Sequence, residues 1–179
     1  MSIQTIYSQM NREWIFGIGV NTNIDSGESI ADFIDVSETW QFSNPFKISI
    51  EKKLNILNGI ELRATSNKYK TTKKFNNGFP REEIDFYSAD ISYKLYIFGA
   101  NLNKRNNKLT GYMTTGAGIS WYNGEDDTNL HIGGGINYAI SKHFGLNLQT
   151  TSKLSISSSD ISNNYLQIDF GFIFPINKY

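Results

Sequence analysis

Residues 87–95 read Tyr-Ser-Ala-Asp-Ile-Ser-Tyr-Lys-Leu, and an apolar side chain occupies every second position of this stretch. The positions between them hold serine, aspartate and lysine. Successive side chains of a β-strand point to opposite faces, so this period of two predicts a strand with one apolar and one polar face. The same alternation recurs along the chain to make eight such stretches, and none of their apolar faces carries a charged residue.

Each predicted strand is about 8 to 12 residues long, a length with which a tilted strand crosses a bilayer. Long and short connectors roughly alternate, which is typical of an up-and-down meander. The segment 97–108 departs from this pattern, because it is a moderately long connector where a short turn is expected. One helical turn is predicted within residues 29–38. The predicted fold class is all-β: an eight-stranded antiparallel up-and-down transmembrane barrel with a polar, plugged interior. It comprises residues 13–179 and follows an N-terminal periplasmic segment, residues 1–12.

The composition excludes several classes of protein. The 17 Lys and Arg residues balance the 17 Asp and Glu residues, which argues against a nucleic-acid partner. The absence of Cys excludes disulfides, thiolate catalysis, Cys-based zinc sites and a Cys-linked lipid anchor. No apolar run is long enough for a transmembrane helix. Residues 1–12 lack the pattern of a secretory signal peptide, so we expect an export signal to be removed or absent.

Two kinds of barrel differ in which strand face points inward. In a soluble, lipocalin-like barrel the apolar face surrounds a small apolar ligand, whereas in a membrane barrel it contacts lipid. An eight-stranded barrel has room inside only for side chains, and eight rows of large apolar residues would overfill it. The alternate face is rich in Gly, Ser, Thr and Asn. We therefore predict the apolar-out arrangement and keep the lipocalin-like carrier as the alternative.

Aromatic residues lie near both ends of the predicted strands. Amphipathic rings at such positions form the interface belts of membrane barrels. The predicted interface aromatics are Trp14, Phe46, Tyr87, Tyr93, Trp121, Tyr138 and Phe174. Tyr69 and Tyr96 are assigned to the same belts.

Four basic and four acidic residues share the predicted inward face. They are Lys47, Glu51, Glu61, Arg63, Asp90, Lys94, Lys153 and Asp169. Burial of an isolated charge is costly, so charges in a narrow lumen must pair. We predict a structural ion-pair network in which Glu61 and Arg63 face the charges of the next strand across one hairpin. The alternative is a proton or ion path, whereas an open diffusion pore would need a wider barrel.

No catalytic site, metal site or cofactor is predicted, and the chain is not expected to be an enzyme. His131 lies on the inward face without the Ser and acid of a hydrolase triad nearby in sequence. Two separated His residues have no metal-ligand spacing. Residues 124–128, Gly-Glu-Asp-Asp-Thr, lack the spaced ligands of a calcium loop. We interpret this segment, within the predicted short connector 123–128, as a solvated acidic hairpin loop.

Two long connectors differ in charge. Residues 23–45 hold five acidic and no basic residues, whereas residues 67–82 hold five basic residues and one acidic residue. Exposed loops on a rigid scaffold often carry function. The two loops are interpreted either as solvated segments of opposite sign or as a partner surface or loop-to-loop lid.

Together these features resemble a known family. The strand count, the short turns and residues 14–21 (Trp-Ile-Phe-Gly-Ile-Gly-Val-Asn) are similar to small OmpA/OmpX-type outer-membrane barrels. The chain most resembles the Asn- and Lys-rich porin-family, or outer membrane protein beta-barrel, domains of Bacteroidota. The segments that carry this resemblance are residues 45–50, 59–62, 116–118 and 143–148. Such barrels usually end in an aromatic residue, here Tyr179 or, because Pro175 interrupts the last alternation, Phe174.

The resemblance implies an integral protein of the bacterial outer membrane that contacts outer-membrane lipids. It implies a non-enzymatic structural or accessory subunit of an outer-membrane complex, such as secretion or uptake machinery, or a free-standing envelope barrel. The expected protein partners are other outer-membrane or periplasmic proteins. The peptidoglycan-binding domain of longer family members is not expected here.

Overall fold

The computed structural model describes residues 13–24, 40–41, 43–72, 79–99, 108–157 and 164–176. Its strands are β1 Trp14–Ile24, β2 Trp40–Gln41, β3 Ser43–Lys53, β4 Asn58–Tyr69, β5 Ile84–Phe98, β6 Leu109–Tyr122, β7 Glu125–Ala139, β8 Gly145–Ser155 and β9 Tyr165–Ile176. None of the described residues belongs to a helix that could span a membrane. The helical turn predicted within residues 29–38 lies outside these ranges.

The strands form one closed antiparallel sheet. From β3 to β9 each strand pairs with the next along the chain, and β1 pairs with β3. The seam is closed by β1 and β9, which pair over the whole of β1, from Trp14–Ile176 to Ile24–Leu166. The short β2 pairs only with the last two residues of β1. The barrel wall is therefore built from eight long strands, which confirms the predicted all-β, up-and-down topology.

The two ends of the barrel differ and are named here by their residues. The turn end holds Trp14, Lys53, Asn58 and Ile176. It carries the short connections between β3 and β4 and between β7 and β8. The loop end is the opposite rim, where β4 ends at Tyr69 and β9 begins at Tyr165.

Burial is inverted relative to a water-soluble protein. Ile91 in β5 exposes 54% of its surface, whereas its neighbours Asp90 and Ser92 expose 4% and 1%. The pattern is the same in the other long strands, where outward Phe, Ile and Leu side chains are exposed and inward polar side chains are buried. The apolar-out prediction is therefore confirmed. A lipocalin would use this interior for an apolar ligand, but here charged and polar side chains fill it.

The connection between β6 and β7 is tighter than predicted. Tyr122 and Glu125 are cross-strand partners, so the turn consists of Asn123 and Gly124 alone. Both residues have positive φ, 50° and 95°, as the two-residue hairpin turn that favours Asn-Gly requires. The interpretation of residues 124–128 as a solvated acidic loop is wrong beyond Gly124, because residues 125–128 belong to β7; Glu125 and Asp126 are exposed, but Asp127 is fully buried.

Other predicted boundaries also shift. β1 continues to Ile24 and β3 begins at Ser43, so the first connector is shorter than residues 23–45. The alternative in which Phe174 ends the last strand is wrong, because β9 includes Pro175, which pairs with Ile15. The ladder between β8 and β9 ends at Ile173. Beyond that point β9 has a partner on one side only, and such edges tolerate proline.

Candidate functional site

All eight charged residues predicted for the lumen are buried in it. They come from five strands and form two groups. The central ion cluster consists of Lys47, Arg63, Asp90, Lys153 and Asp169. The turn-end ion cluster consists of Glu51, Glu61 and Lys94. The structure thus brings the predicted residues together, but in two separate sets.

Arg63 organises the central ion cluster. Its Nε and Nη2 donate to Asp90 Oδ2 at 3.1 and 2.9 Å, and Asp90 is its direct cross-strand partner on β5. Its Nη1 donates to Asp169 Oδ2 on β9 at 2.6 Å. The planar guanidinium can serve two carboxylates at once because its donors point in fixed, diverging directions. Arg63 therefore links the β4–β5 ladder to the strand that closes the barrel.

Two lysines complete the central ion cluster. Lys153 Nζ on β8 donates to both carboxylate oxygens of Asp90, at 2.8 and 2.9 Å, and to Ser88 Oγ at 3.1 Å. Lys47 Nζ donates to Asn147 Oδ1 at 3.0 Å and lies 3.9 Å from Asp169 Oδ2. Each carboxylate thus faces more than one cation, which offsets the cost of its desolvation.

The turn-end ion cluster is built around Lys94. Its Nζ donates to Glu61 Oε2 at 2.5 Å and to Glu51 Oε2 at 3.1 Å. The remaining oxygen of Glu51 accepts a hydrogen bond from the Tyr96 hydroxyl at 2.5 Å. These residues lie on three adjacent strands, β3, β4 and β5, so this cluster does not reach across the barrel.

Glycines on the inward face make room for the charges. Gly118 lies opposite Asp90 in the β5–β6 ladder, and a Cβ there would collide with the Asp90 carboxylate. Gly59 lies opposite Lys94, and a Cβ there would come within 2.5 Å of Glu51 Oε1. The small inward residues and the large charged ones are therefore complementary parts of one packed interior.

Aromatic side chains close the lumen on both sides of the ion clusters. At the loop end, Phe86 packs against three tyrosines with ring centroids 5.2 to 5.7 Å away, and we call these four residues the loop-end aromatic plug: Tyr69, Phe86, Tyr122 and Tyr165. At the turn end, the ring centroids of Tyr96 and Tyr112 are 5.7 Å apart. The assignment of Tyr69 and Tyr96 to the interface belts is wrong, because both side chains point inward and are buried.

Further titratable residues of the lumen were not predicted. Lys53 Nζ lies 3.9 Å from the ring centroid of Tyr96, and Asp127 accepts a hydrogen bond from Ser155 Oγ at 2.5 Å. Glu13, directly before β1, is also buried; burial raises the pKa of its carboxyl, and Lys53 partly opposes this shift. The period of two could have identified Lys53, because it shares the face of Lys47 and Glu51.

His131 has a partner that the sequence did not indicate. Its Nε2 lies 2.8 Å from Ser92 Oγ; His131 is in β7 and Ser92 in β5, with β6 between them. A Ser–His pair of this geometry can activate a nucleophile when an acid orients the other ring nitrogen. Within the part of the chain that the structure describes, the Nδ1 of His131 has no hydrogen-bond partner, and the pair is buried in the packed lumen. Among the described residues, no group of His, Asp and Glu side chains is arranged to hold a metal ion.

The predicted interface aromatics point away from the lumen. At the turn end these are Trp14, Tyr93, Tyr138 and Phe174, and at the loop end Phe46, Tyr87 and Trp121. Of the charged connectors, the acidic residues between β1 and β2 lie outside the described residues. Lys68 of the basic connector lies in β4, where its Nζ is 3.3 Å from Glu83 and 3.2 Å from Asp85.

Comparisons with known proteins identify the fold. No family model matches the chain, and no curated protein does. Among solved structures, OprG of Pseudomonas aeruginosa is 12% identical with a TM-score of 0.63, covering 94% of this chain and 98% of its own. Neisserial surface protein A is 14% identical with a TM-score of 0.59, covering 94% and 97%. Ail, the attachment invasion locus protein of Yersinia pestis, is 14% identical with a TM-score of 0.56, covering 93% and 100%. The chain thus has the fold of small outer-membrane β-barrels.

Proposed function

We propose that this chain is an integral outer-membrane β-barrel with a closed lumen and no catalytic activity. It serves as a structural or accessory subunit of an outer-membrane complex, for secretion or uptake, or as a free-standing envelope barrel. The observation that carries the proposal is the inverted burial. A continuous apolar surface facing water would drive association, whereas the same surface facing lipid is the normal exterior of a membrane barrel.

The outward aromatics support a defined position in the bilayer. Tyr and Trp rings are favoured at both membrane–water interfaces, and outward aromatic residues occur near both ends of this barrel. We assign the turn end to the periplasm, because membrane barrels have short periplasmic turns and longer extracellular loops. The two longest connections, residues 25–42 and 70–83, lie at the loop end, which also carries the two-residue β6–β7 turn. Outer-membrane lipids are then the direct partners of the apolar surface. The more specific kinship with Bacteroidota barrels is part of this proposal and rests on the sequence resemblance.

The packing of the lumen supports a closed barrel. A continuous path between the two ends would have to pass the loop-end aromatic plug, both ion clusters and the Tyr96–Tyr112 pair. An eight-stranded barrel has an interior just wide enough for side chains to fill it. The ion clusters therefore serve as structural connections between strands.

The surroundings of His131 support a non-enzymatic role. Catalysis by a Ser–His pair needs an orienting acid, access for the substrate and donors for the oxyanion. Ser92 and His131 lie in the packed interior, and none of the acidic residues that the structure describes is bonded to His131 Nδ1. Any specific action is therefore expected to depend on the loops, the lipid-facing surface or bound proteins.

The proposal is tested on protein expressed with an export signal and purified from membranes. A folded membrane barrel requires detergent and migrates differently on gels before and after heating. Planar-bilayer recordings should give no conductance steps of the size of a general porin. Solubility in buffer without detergent would contradict the membrane assignment, and porin-sized steps would contradict the closed lumen. A pull-down from detergent-solubilised membranes distinguishes a complex subunit from a free-standing barrel.

A further inference from the structure

The outward surface carries an apolar groove across four neighbouring strands, β1, β3, β4 and β5. Its volume is about 460 Å³. Ala64 and Ala89 line it and are direct cross-strand partners, so two small side chains stand side by side on the outer surface. The surrounding apolar residues are larger: Phe16, Ile48, Ile50 and Leu62. The groove is thus a depression in a surface that otherwise presents large side chains.

A cation lies at the turn end of this groove. Lys52 follows Ile50 at the next outward position of β3, and Trp14 precedes Phe16 at the next outward position of β1. The two are cross-strand partners, and Lys52 Nζ lies 5.3 Å from the Trp14 ring centroid. Within the strands that the structure describes, Lys52 is the one charged side chain on the outward face at this end. Both strands therefore lead from the apolar groove directly to a Trp–Lys pair.

We propose that this groove is a binding site for an anionic phospholipid of the membrane. One acyl chain lies over Ala64 and Ala89, and the phosphate contacts Lys52. The inference rests on the proposed function, because the groove meets lipid only if the barrel is in a bilayer. An apolar channel that ends at a cation matches a molecule with a hydrocarbon chain and an anionic headgroup, and a Trp–Lys pair is suited to the level of the headgroups.

A second copy of the chain fits this surface less well. A two-fold contact places the same patch of both molecules face to face, so Lys52 would approach Lys52. The outward acidic residues of the described strands, Asp85 and Asp126, lie at the loop end. Charge complementarity at the turn end therefore favours a lipid phosphate over another protomer.

The test compares two lipids that differ only in headgroup. Detergent-purified protein is mixed with equal amounts of palmitoyl-oleoyl phosphatidylglycerol and palmitoyl-oleoyl phosphatidylcholine, and native mass spectrometry measures the lipid that each barrel retains. We expect one bound lipid, with phosphatidylglycerol preferred about fivefold, the effect of one lysine at a membrane surface. Lys52→Gln should abolish the preference but keep the lipid. Ala64→Phe, which fills the groove, should retain neither lipid.

Matched controls lie elsewhere on the barrel. Thr150→Phe adds the same ring to the outward face of β8, on the opposite side of the barrel, and should leave retention unchanged. Lys142→Gln removes an exposed cation in the β7–β8 turn and should leave the preference unchanged. Ala89→Phe fills the same groove from β5 and replaces Ala64→Phe if that variant does not fold.

The outcomes separate the two proposals. If a heat-modifiable, detergent-dependent barrel retains the lipid equally in wild type, Ala64→Phe and Ala89→Phe, the groove assignment is wrong while the membrane assignment stands. If the groove variants instead abolish a dimer, the occupant is a second copy. If the protein needs no detergent, the proposed function fails before the lipid is tested.

Discussion

Both ion clusters pair buried charges in the lumen, but the two differ in geometry. In the central ion cluster, Arg63 joins Asp90 on the next strand to Asp169 on β9, the strand at the seam. In the turn-end ion cluster, Lys94 joins Glu51 and Glu61, which lie on two adjacent strands. The first cluster therefore connects parts of the wall that are distant around the barrel, whereas the second reinforces a ladder that backbone hydrogen bonds already hold.

The difference indicates what each cation contributes. A guanidinium has donors in a planar fork and can bridge carboxylates in different directions, while an ammonium is a compact charge that suits closely spaced partners. Removing Arg63 leaves two aspartates without their shared donor. Removing Lys94 leaves Glu51 with the hydroxyl of Tyr96 but leaves Glu61 without its cation. The central ion cluster should be the more sensitive of the two, because Arg63 links β4 to the distant β9, whereas the turn-end ion cluster lies on the three consecutive strands β3, β4 and β5.

The largest effect is expected when the two clusters exchange charges. The double variant Glu61→Arg with Arg63→Glu keeps the composition but places a carboxylate beside Asp90 and Asp169 and a guanidinium beside Lys94. Like charges then meet in both clusters, so the loss should exceed the roughly 3–5 kcal/mol typical of a single broken buried pair. We expect no heat-modifiable band after refolding in detergent. A normally folded double variant would mean that the two clusters are interchangeable.

Arg63→Ala alone should lower the free energy of unfolding by about 3–5 kcal/mol, because Asp90 and Asp169 lose a buried partner. Urea titration in detergent micelles, followed by tryptophan fluorescence, measures the loss. Lys142→Ala at an exposed turn is the control and should change stability little. If Arg63→Ala is as stable as wild type, the structural role of this residue is refuted.

Lys94→Met should cost about 3 kcal/mol, the low end of the range for breaking a buried ion pair. The methionine fills most of the volume and Glu51 keeps its bond from Tyr96, whereas Glu61 loses the bond from Lys94. The same urea titration should therefore rank Lys94→Met above Arg63→Ala in stability. The reverse order would mean that reach across the barrel is not what makes the central ion cluster sensitive.

Tyr96→Phe should give the smallest effect, about 2 kcal/mol, because it removes one hydrogen bond to a buried carboxylate and keeps the ring. In the Lys94→Met background the same change should cost more, since Glu51 then depends on that hydroxyl. A double-mutant cycle measures this coupling. Strict additivity would show that Tyr96 and Lys94 do not share Glu51.

The period of two in the sequence was sufficient to predict the wall and the inward face. It predicts that Arg63, Lys94 and the other six charges lie in the lumen, because the face to which a side chain points depends only on its position along its own strand. It could not pair Arg63 with Asp169, because contacts across a barrel depend on the stagger and tilt of strands far apart in sequence. The pairing of Glu61 with Lys94 and of Arg63 with Asp90 can be predicted from the sequence, because each pair lies on two adjacent strands.

The aromatic residues show a different limit. Residue type and height along the strand place Tyr69 and Tyr96 in the belts, although the alternation of side chains places them inside. The dipeptide Asn123-Gly124 indicates the position of the hairpin turn more strongly than the acidic residues after it do. Both turn positions need positive φ, which Asn and Gly adopt most readily. The partner of His131 was hidden because Ser92 is remote in sequence and is brought close only by the barrel.

The absence of native Cys makes the apolar-out claim directly measurable by cysteine scanning. Single variants Ser88→Cys, Ala89→Cys, Ile91→Cys and Ser92→Cys are refolded into lipid vesicles and treated with a nitroxide label, whose accessibility to oxygen reports contact with lipid. We expect labelling and oxygen contact at positions 89 and 91, and protection from the label at positions 88 and 92. Water-exposed labels at positions 88 and 92 with protection at positions 89 and 91 would contradict it.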